Sequence, residues 1–262
     1  MDETLRKVYP SRMDALEECH SQVASLLGSG AEPIEVLRRA EEHRAFWRPN
    51  PVRIVLLAES HVYTARSELD RRIILDNLIQ GGVPCGFVRL VYCLGYGEEG
   101  ALDRNITVPR NSGTPQFWKI FYSCVNPVNT NADFAPIQVS RTPCFTERIR
   151  NKLALLERLK ELGVWLVDAS LAALYLPGRA KPSPRLVADC IQTCWRAYVE
   201  RLLVAARPLR IVCIGKGVES ALDGRLSGLG VPVTVVPQPN ARLASMEHLA
   251  VFQTYYEIVR QA

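Results

Sequence analysis

Apolar residues recur every three or four positions in six stretches of the chain, and this spacing is typical of amphipathic helices. A Gly-Ser-Gly break at 28–30 separates the first two stretches, which lie close to the N-terminus. We therefore predict helices at residues 13–27, 33–47, 146–162, 184–206, 218–226 and 246–260.

Short runs of β-branched and aliphatic residues alternate with these helices. Continuous apolar runs of this kind are typical of strands that are covered on both faces of a parallel sheet. The four runs comprise residues 53–58, 164–167, 210–214 and 231–236, and residues 87–94 form a possible extra strand. The alternation predicts a three-layer α/β/α sandwich with a mostly parallel central sheet of about four strands.

The composition fits one globular domain. The chain has 262 residues, of which 48% are hydrophobic and 23% are charged, so disordered, collagen-like and coiled-coil classes are excluded. We expect a single domain over residues 1–262, with residues 1–50 as a helical N-terminal extension packed on it. No apolar run approaches the roughly 18 residues of a membrane helix, and no secretory signal is recognisable. We therefore expect a cytoplasmic protein, a monomer, with no membrane partner.

Cysteine content and net charge add little chemistry of their own. None of the eight cysteines forms a CxxC pair, although Cys190 and Cys194 lie one helical turn apart. Reduced, mostly buried thiols are the simplest interpretation, and we expect no metal and no cofactor. The net charge of +5 permits a polyanionic partner without requiring one.

Polar residues collect directly after each of the four main strands. Glu59, Ser60 and His61 follow the first strand, and Asp168 ends the second. Gly215 follows the third strand, and residues 238–242 follow the fourth. Ligands of open α/β sheets bind beyond the carboxyl ends of the strands, so we expect a site where these segments meet.

These four strand ends, in this order, resemble the motifs of the uracil-DNA glycosylase superfamily. Residues 58–62 stand where that family has a motif of the GQDPYH, GEAPG or GINPG type. Residues 163–168 resemble its strand that ends in a base-reading Asn, and residues 211–218 resemble its following strand and helix. Residues 238–242 resemble its HPSP-type loop, so the resemblance covers roughly residues 50–245.

The resemblance implies a DNA base-excision repair glycosylase. Such an enzyme flips a deaminated base, most commonly uracil, out of DNA and hydrolyses its N-glycosidic bond without metal or cofactor. The products are an abasic site and free uracil, and the enzyme would be nucleoid-associated while it acts. The alternative is a damaged- or abasic-DNA binding protein of the same fold with weak or no turnover. An unrelated α/β hydrolase acting on a nucleotide is a third class, but neither a P-loop nor a nucleophile elbow is present.

The first motif supplies three of the four candidate catalytic residues that the resemblance implies. Glu59 stands where the GEAPG type has Glu, and Ser60 stands where the GQDPYH type has Asp. Glu59 would orient water or stabilise the sugar cation; alternatively, it caps the next helix or pairs with an arginine. His61 replaces a proline and is a general base, a phosphate contact or a packed loop histidine.

Two substitutions in the other motifs put uracil specificity in question. Gln238, the fourth candidate catalytic residue, replaces the family's His and can donate a hydrogen bond to the leaving base, but without charge. Asp168 replaces the base-reading Asn, and an ionised carboxylate only accepts hydrogen bonds. Uracil then lacks one donor unless Asp168 stays protonated, and guanine-like edges with adjacent donors fit better. Alternatively, Asp168 caps the segment that follows it.

The remaining candidates are base-binding and DNA-binding residues. Tyr63 and Phe117 are candidates for stacking on the flipped base, and Asn240 would shape the base-binding loop. Two loops, 109–115 and 178–185, are predicted to face DNA, although solvated loops would have the same composition. The candidate DNA-binding residues are Ser112, Gly113, Arg179, Lys181 and Arg242.

Overall fold

Four parallel strands form the centre of the fold. The computed structural model describes residues 12–75, 82–103, 114–176 and 180–262. The strands lie in the order β2-β1-β3-β4, and the parallel sheet confirms the predicted α/β fold. Their bounds are β1 Ile54–Ala58, β2 Val164–Asp168, β3 Arg210–Ile214 and β4 Val233–Val236.

The register of the sheet brings the carboxyl ends of the strands level with one another. Ala58 at the end of β1 lies opposite Asp168 at the end of β2. Ile214 at the end of β3 lies opposite Val236 at the end of β4. All five residues of β1 are buried, as expected for a central strand with both faces covered. The segments after the four strands therefore start at the same edge of the sheet.

Eight α-helices surround the sheet in the part of the chain that the structure describes. Seven of them correspond to the six predicted stretches, because the stretch 184–206 is divided by a π-helical segment, Trp195–Val199. The eighth helix, Phe117–Val125, was not predicted. None of these helices is both long enough and apolar enough to cross a membrane. Their bounds are α1 Arg12–Leu27, α2 Ile34–Phe46, α3 Phe117–Val125, α4 Phe145–Glu161, α5 Pro184–Cys194, α6 Glu200–Ala206, α7 Lys216–Ala221 and α8 Ser245–Gln261.

The helices pack in two groups, which form the outer layers of the sandwich. In one group α3 packs against both α4 and α8. In the other group α1 packs against α2 and α5, and α5 packs against α7. The first two helices thus contact the body of the domain directly, and they contribute Leu16, Val23 and Leu37 to its apolar core.

The prediction of an extra strand at residues 87–94 is wrong. This segment forms a succession of turns, closed by bonds such as Cys93 N to Leu90 O (2.9 Å) and Tyr96 N to Cys93 O (2.8 Å). Its apolar residues are buried because the segment packs under the loop that follows β1, where Val62 N donates to Arg89 O. Burial, rather than pairing in a sheet, explains the apolar run.

Six of the eight cysteines are buried, and all eight are free thiols. Only Cys85 and Cys144 are exposed. This agrees with the interpretation of most cysteines as core residues.

Candidate active site

A cavity of about 450 Å³ opens at the carboxyl edge of the sheet. This volume lies within the range of small-molecule sites, about 300–1,000 Å³. The segments after β1, β2 and β4 and the last residue of β3 all contribute to its wall. Seven of the residues predicted for the site line it: Glu59, Ser60, His61, Phe117, Asp168, Gln238 and Asn240.

Backbone hydrogen bonds fix Glu59 at the mouth of β1. Ala169 N donates to Ala58 O at 2.7 Å, and Ser170 N donates to Glu59 O at 2.8 Å. These bonds extend the pairing of β1 with β2 by one step, so the Glu59 backbone is held rigidly while its side chain is half-buried at the cavity. Burial and the neighbouring Glu59 carboxylate raise the pKa of Tyr175 to about 12, so its hydroxyl stays protonated beside Glu59.

Gly215 makes room for the Gln238 side chain. Its φ of +105° is a conformation that L side chains rarely adopt, and a Cβ at this position would lie 2.7 Å from Gln238 Cγ. Gly215 N also donates to Val236 O at 2.7 Å, which joins the end of β3 to the end of β4. The Gln238 amide is therefore placed by close contact with a glycine backbone at the adjacent strand end.

Asp168 lies at the wall of the cavity as an ionised carboxylate. The residue is only 2% exposed, and its Oδ2 accepts a hydrogen bond from Arg44 Nη2 at 2.8 Å. His61 Nδ1 lies 3.5 Å from the same oxygen. Burial alone would raise the pKa of Asp168, but the His61 and Arg44 cations outweigh it and hold the pKa below its usual value. Asp168 is therefore an acceptor at neutral pH, and a protonated form that donates to a base is disfavoured.

His61 is a buried cation between two carboxylates. Its side chain is fully buried, and Nε2 lies 3.0 Å from Glu32 Oε2. Burial alone would lower the pKa of His61, but Glu32 and Asp168 raise it to about 9. An imidazolium has no lone pair with which to accept a proton. Of the interpretations left open for His61, the structure therefore favours the packed histidine over the general base.

Glu32 and Arg44 were not predicted as site residues, because they lie in the N-terminal helical region far from any motif. Glu32 also accepts from Thr64 N at 2.6 Å and from Ala173 N at 2.8 Å, so it joins the segments that follow β1 and β2. Arg44 pairs with Glu41 on its own helix as well as with Asp168. Helical periodicity places Arg44 on the buried face of α2, whereas Glu32 lies just before that helix. Neither position carries information about which loop the side chain meets.

The other predicted residues lie at the rim or away from the cavity. Tyr63 is half-buried and is not among the described residues that line the cavity. Lys181 and Arg242 are exposed, and Lys181 Nζ lies 6.0 Å from the centre of the Tyr175 ring at the cavity wall. Three candidates lie outside the described residues: Ser112, Gly113 and Arg179.

Neither a metal site nor a known relative identifies the chemistry of this cavity. Within the described ranges, no group of three His, Cys, Asp or Glu side chains is arranged to hold a metal ion. A comparison with protein-family models finds no match, and a search of curated proteins finds no significant match. The chemistry of this site therefore has to be argued from its own residues.

Proposed function

We propose that this protein is a monofunctional DNA glycosylase that hydrolyses the N-glycosidic bond of a flipped-out damaged base. One observation carries the proposal: the four strand-end segments that resemble glycosylase motifs meet at one cavity. Glu59, Asp168 and Gln238 all line this cavity, although 109 residues separate the first two and 70 separate the last two along the chain. The parallel sheet itself brings the strand ends to one edge, so the support lies in the residue types that they place in the cavity.

Each of these three side chains suits one part of the reaction. The Glu59 carboxylate can orient water and stabilise positive charge on the sugar as the glycosidic bond breaks. Asp168 accepts a hydrogen bond from the edge of the base. The Gln238 amide can donate to the departing base, and Phe117 offers a ring to stack on it.

DNA would approach the carboxyl edge of the sheet. Lys181 and Arg242 are exposed on the segments that follow β2 and β4, where they can contact phosphates. Two such contacts next to the cavity are consistent with a protein of modest net charge. The proposal includes a cytoplasmic location, where the protein would act on nucleoid DNA.

Deaminated bases, with uracil first, are the substrates to test. The protein is incubated with single- and double-stranded oligonucleotides that carry uracil, hypoxanthine or xanthine, and abasic sites are then cleaved with alkali. We expect strand cleavage at a modified base without addition of metal or cofactor. The matched oligonucleotide with an unmodified base is the control.

The alternative function is binding of damaged or abasic DNA without turnover. The observation that favours it is the uncharged Gln238, which stabilises a departing base anion less than a charged donor would. Tight retention of abasic oligonucleotide without cleavage of any modified base would support this alternative. If the protein neither cleaved nor bound any of these oligonucleotides, both functions would be contradicted.

A further inference from the structure

One oxygen of the Asp168 carboxylate has no hydrogen-bond partner among the described residues. Oδ2 is held by Arg44 and His61, whereas Oδ1 accepts no hydrogen bond from any described residue. An acceptor at a cavity wall that lacks a protein partner can accept a hydrogen bond from a bound molecule. Because Asp168 lines the cavity, the missing partner is expected to be a donor on the bound ligand.

Among the described residues that line the cavity, the one charge without an oppositely charged partner is negative. Among the described lining residues, the charged ones are Glu59, His61, Arg89 and Asp168. Three of them have partners. His61 contacts Glu32 at 3.0 Å, and Arg89 Nη2 contacts Glu68 Oε1 at 2.8 Å. Asp168 Oδ2 contacts Arg44 Nη2 at 2.8 Å. Glu59 makes no ion pair with a described residue. The cavity thus presents the Glu59 carboxylate and Asp168 Oδ1 to its contents.

The charge of the cavity affects which kind of base can leave easily. Uracil leaves with the electron pair of the glycosidic bond and becomes an anion, which the Glu59 carboxylate repels. The neutral Gln238 amide offsets that repulsion less than a cation would. A base that is already cationic on the sugar leaves as a neutral molecule, and the same carboxylate attracts it while it is bound.

We propose that N-alkylated purines, which carry a positive charge while attached to deoxyribose, are a further substrate class of this site. The inference rests on the proposed glycosylase function and extends it. In 7-methylguanine, N1–H and the N2 amino group are adjacent donors on one edge. Asp168 Oδ1 is an unpaired acceptor suited to such an edge.

The reaction balances without a cofactor. The C1′–N9 bond breaks, and its electron pair neutralises the cationic purine ring. The oxygen of water bonds to C1′, and the proton that water loses passes to the Glu59 carboxylate and then to solvent. The products are neutral 7-methylguanine, an abasic site and one proton.

The test measures release of free 7-methylguanine from a duplex oligonucleotide that contains a single copy of it. The purified full-length protein is used in excess, and the free base is quantified by chromatography, with a no-protein reaction to subtract spontaneous loss. We expect protein-dependent release. A parallel duplex with uracil reports on the deaminated-base activity.

Substitution of Asp168 tests whether its carboxylate recognises the cationic base. For Asp168→Asn we expect the ratio of the 7-methylguanine rate to the uracil rate to fall at least tenfold. Asp223→Asn on the exposed surface is the matched control and should alter neither rate. Gln238→His, which adds a stronger donor at the leaving group, should lower the ratio of the 7-methylguanine rate to the uracil rate at least tenfold even if Asp168→Asn does not fold.

The outcomes separate the inference from the function on which it rests. Release of uracil without release of 7-methylguanine above the no-protein rate would overturn the inference and leave the proposed function intact. Release of neither base would overturn both. Release of 7-methylguanine that neither variant alters would overturn the role assigned to the cavity charges.

Discussion

Two clusters of buried charge in this protein show when such a cluster indicates a binding site. The cavity cluster consists of Glu32, His61, Asp168 and Arg44. The helix cluster consists of Glu98, Arg148 and Lys152, and it joins α4 to the segment that precedes α3. In both clusters the acidic side chains are almost fully buried, so burial does not distinguish them.

The difference lies in how the carboxylates are satisfied. In the helix cluster, Glu98 Oε1 accepts from Lys152 Nζ at 2.6 Å and from Arg148 Nε at 3.1 Å, and Oε2 accepts from Arg148 Nη2 at 2.6 Å. In the cavity cluster, Asp168 keeps one oxygen without a described partner. A saturated cluster stabilises structure, whereas an unsaturated acceptor at a cavity is available for a ligand. The four predictions below would break or sharpen this contrast.

The largest expected effect is on catalysis, at Glu59 beside the cavity cluster. Glu59→Gln should lower the single-turnover rate of base release by about 10²- to 10⁴-fold, because an amide cannot take the proton from water. The melting temperature should change little, since Glu59 is half-buried and an amide can still accept from its hydroxyl partner Tyr175. Glu157→Gln on the exposed face of α4 is the matched control. An unchanged rate in Glu59→Gln would remove Glu59 from the chemistry.

Substitution in the helix cluster should lower folding stability rather than catalysis. Glu98→Gln leaves the cations of Arg148 and Lys152 buried without a counter-charge, which should lower the free energy of unfolding by about 3–5 kcal/mol. Urea denaturation measures this change. The control is Glu161→Gln, which removes a solvent-exposed pair with Arg158 and should cost at most about 1 kcal/mol. If the two variants lost similar stability, the helix cluster would not be the stabilising element proposed.

The cavity cluster should give stability a dependence on alkaline pH. The pKa of His61 is raised from 6.5 to about 9, so the folded state binds this proton more tightly than the unfolded chain does. The stabilisation is complete below pH 6.5 and is lost as pH rises towards 9, by roughly 3 kcal/mol. Denaturation measured between pH 6.5 and pH 9.5 tests this, and His61→Gln should flatten the curve.

His43 serves as an internal control for that measurement. It is equally buried but contacts the carbonyl of Gly86 rather than a carboxylate, and burial lowers its pKa to about 4. Its effect has the opposite sign, since stability should fall as pH decreases from 6.5 towards 4. A loss of stability on the alkaline side that persisted in His61→Gln would argue against the cavity cluster as its source.

The smallest effect is expected at the glycine that positions Gln238. Gly215→Ala forces a Cβ to within 2.7 Å of Gln238 Cγ and strains a backbone with φ of +105°. We expect a loss of about 1–3 kcal/mol in the free energy of unfolding, together with a displaced Gln238. Gly228→Ala, where a Cβ meets nothing within 4 Å, is the control. Base release should fall more than the loss of folded protein explains; a proportional fall would mean that Gly215 serves stability alone.

Local sequence patterns predicted the strands because their signals are short and strong. The runs that became β1, β2 and β3 are continuous and apolar, and both faces of these strands are covered. The same signal failed at residues 87–94, where burial under a loop produces an apolar run without a strand. The helix α3 was not predicted, because residues 109–115 just before it were interpreted as a DNA-facing loop.

Part of the candidate site could also be predicted, because its residues directly follow the strands. Parallel strands end at a common edge, so Glu59, Asp168 and Gln238 could be placed together from their positions after strands. Their states could not be predicted, since ionisation depends on neighbours that are distant in the sequence. Arg44 lies 124 residues from Asp168, and Glu32 lies 29 residues from His61.

The sequence by itself determined which residues stand at the strand ends, because alternation of apolar runs and amphipathic helices defines a parallel α/β fold. Only the tertiary structure decided that His61 is a buried cation and that Asp168 is an ionised acceptor with one free oxygen. The physical reason is that desolvation and Coulomb energies depend on spatial separation. Packing of the N-terminal helices sets those separations, and no local pattern encodes them.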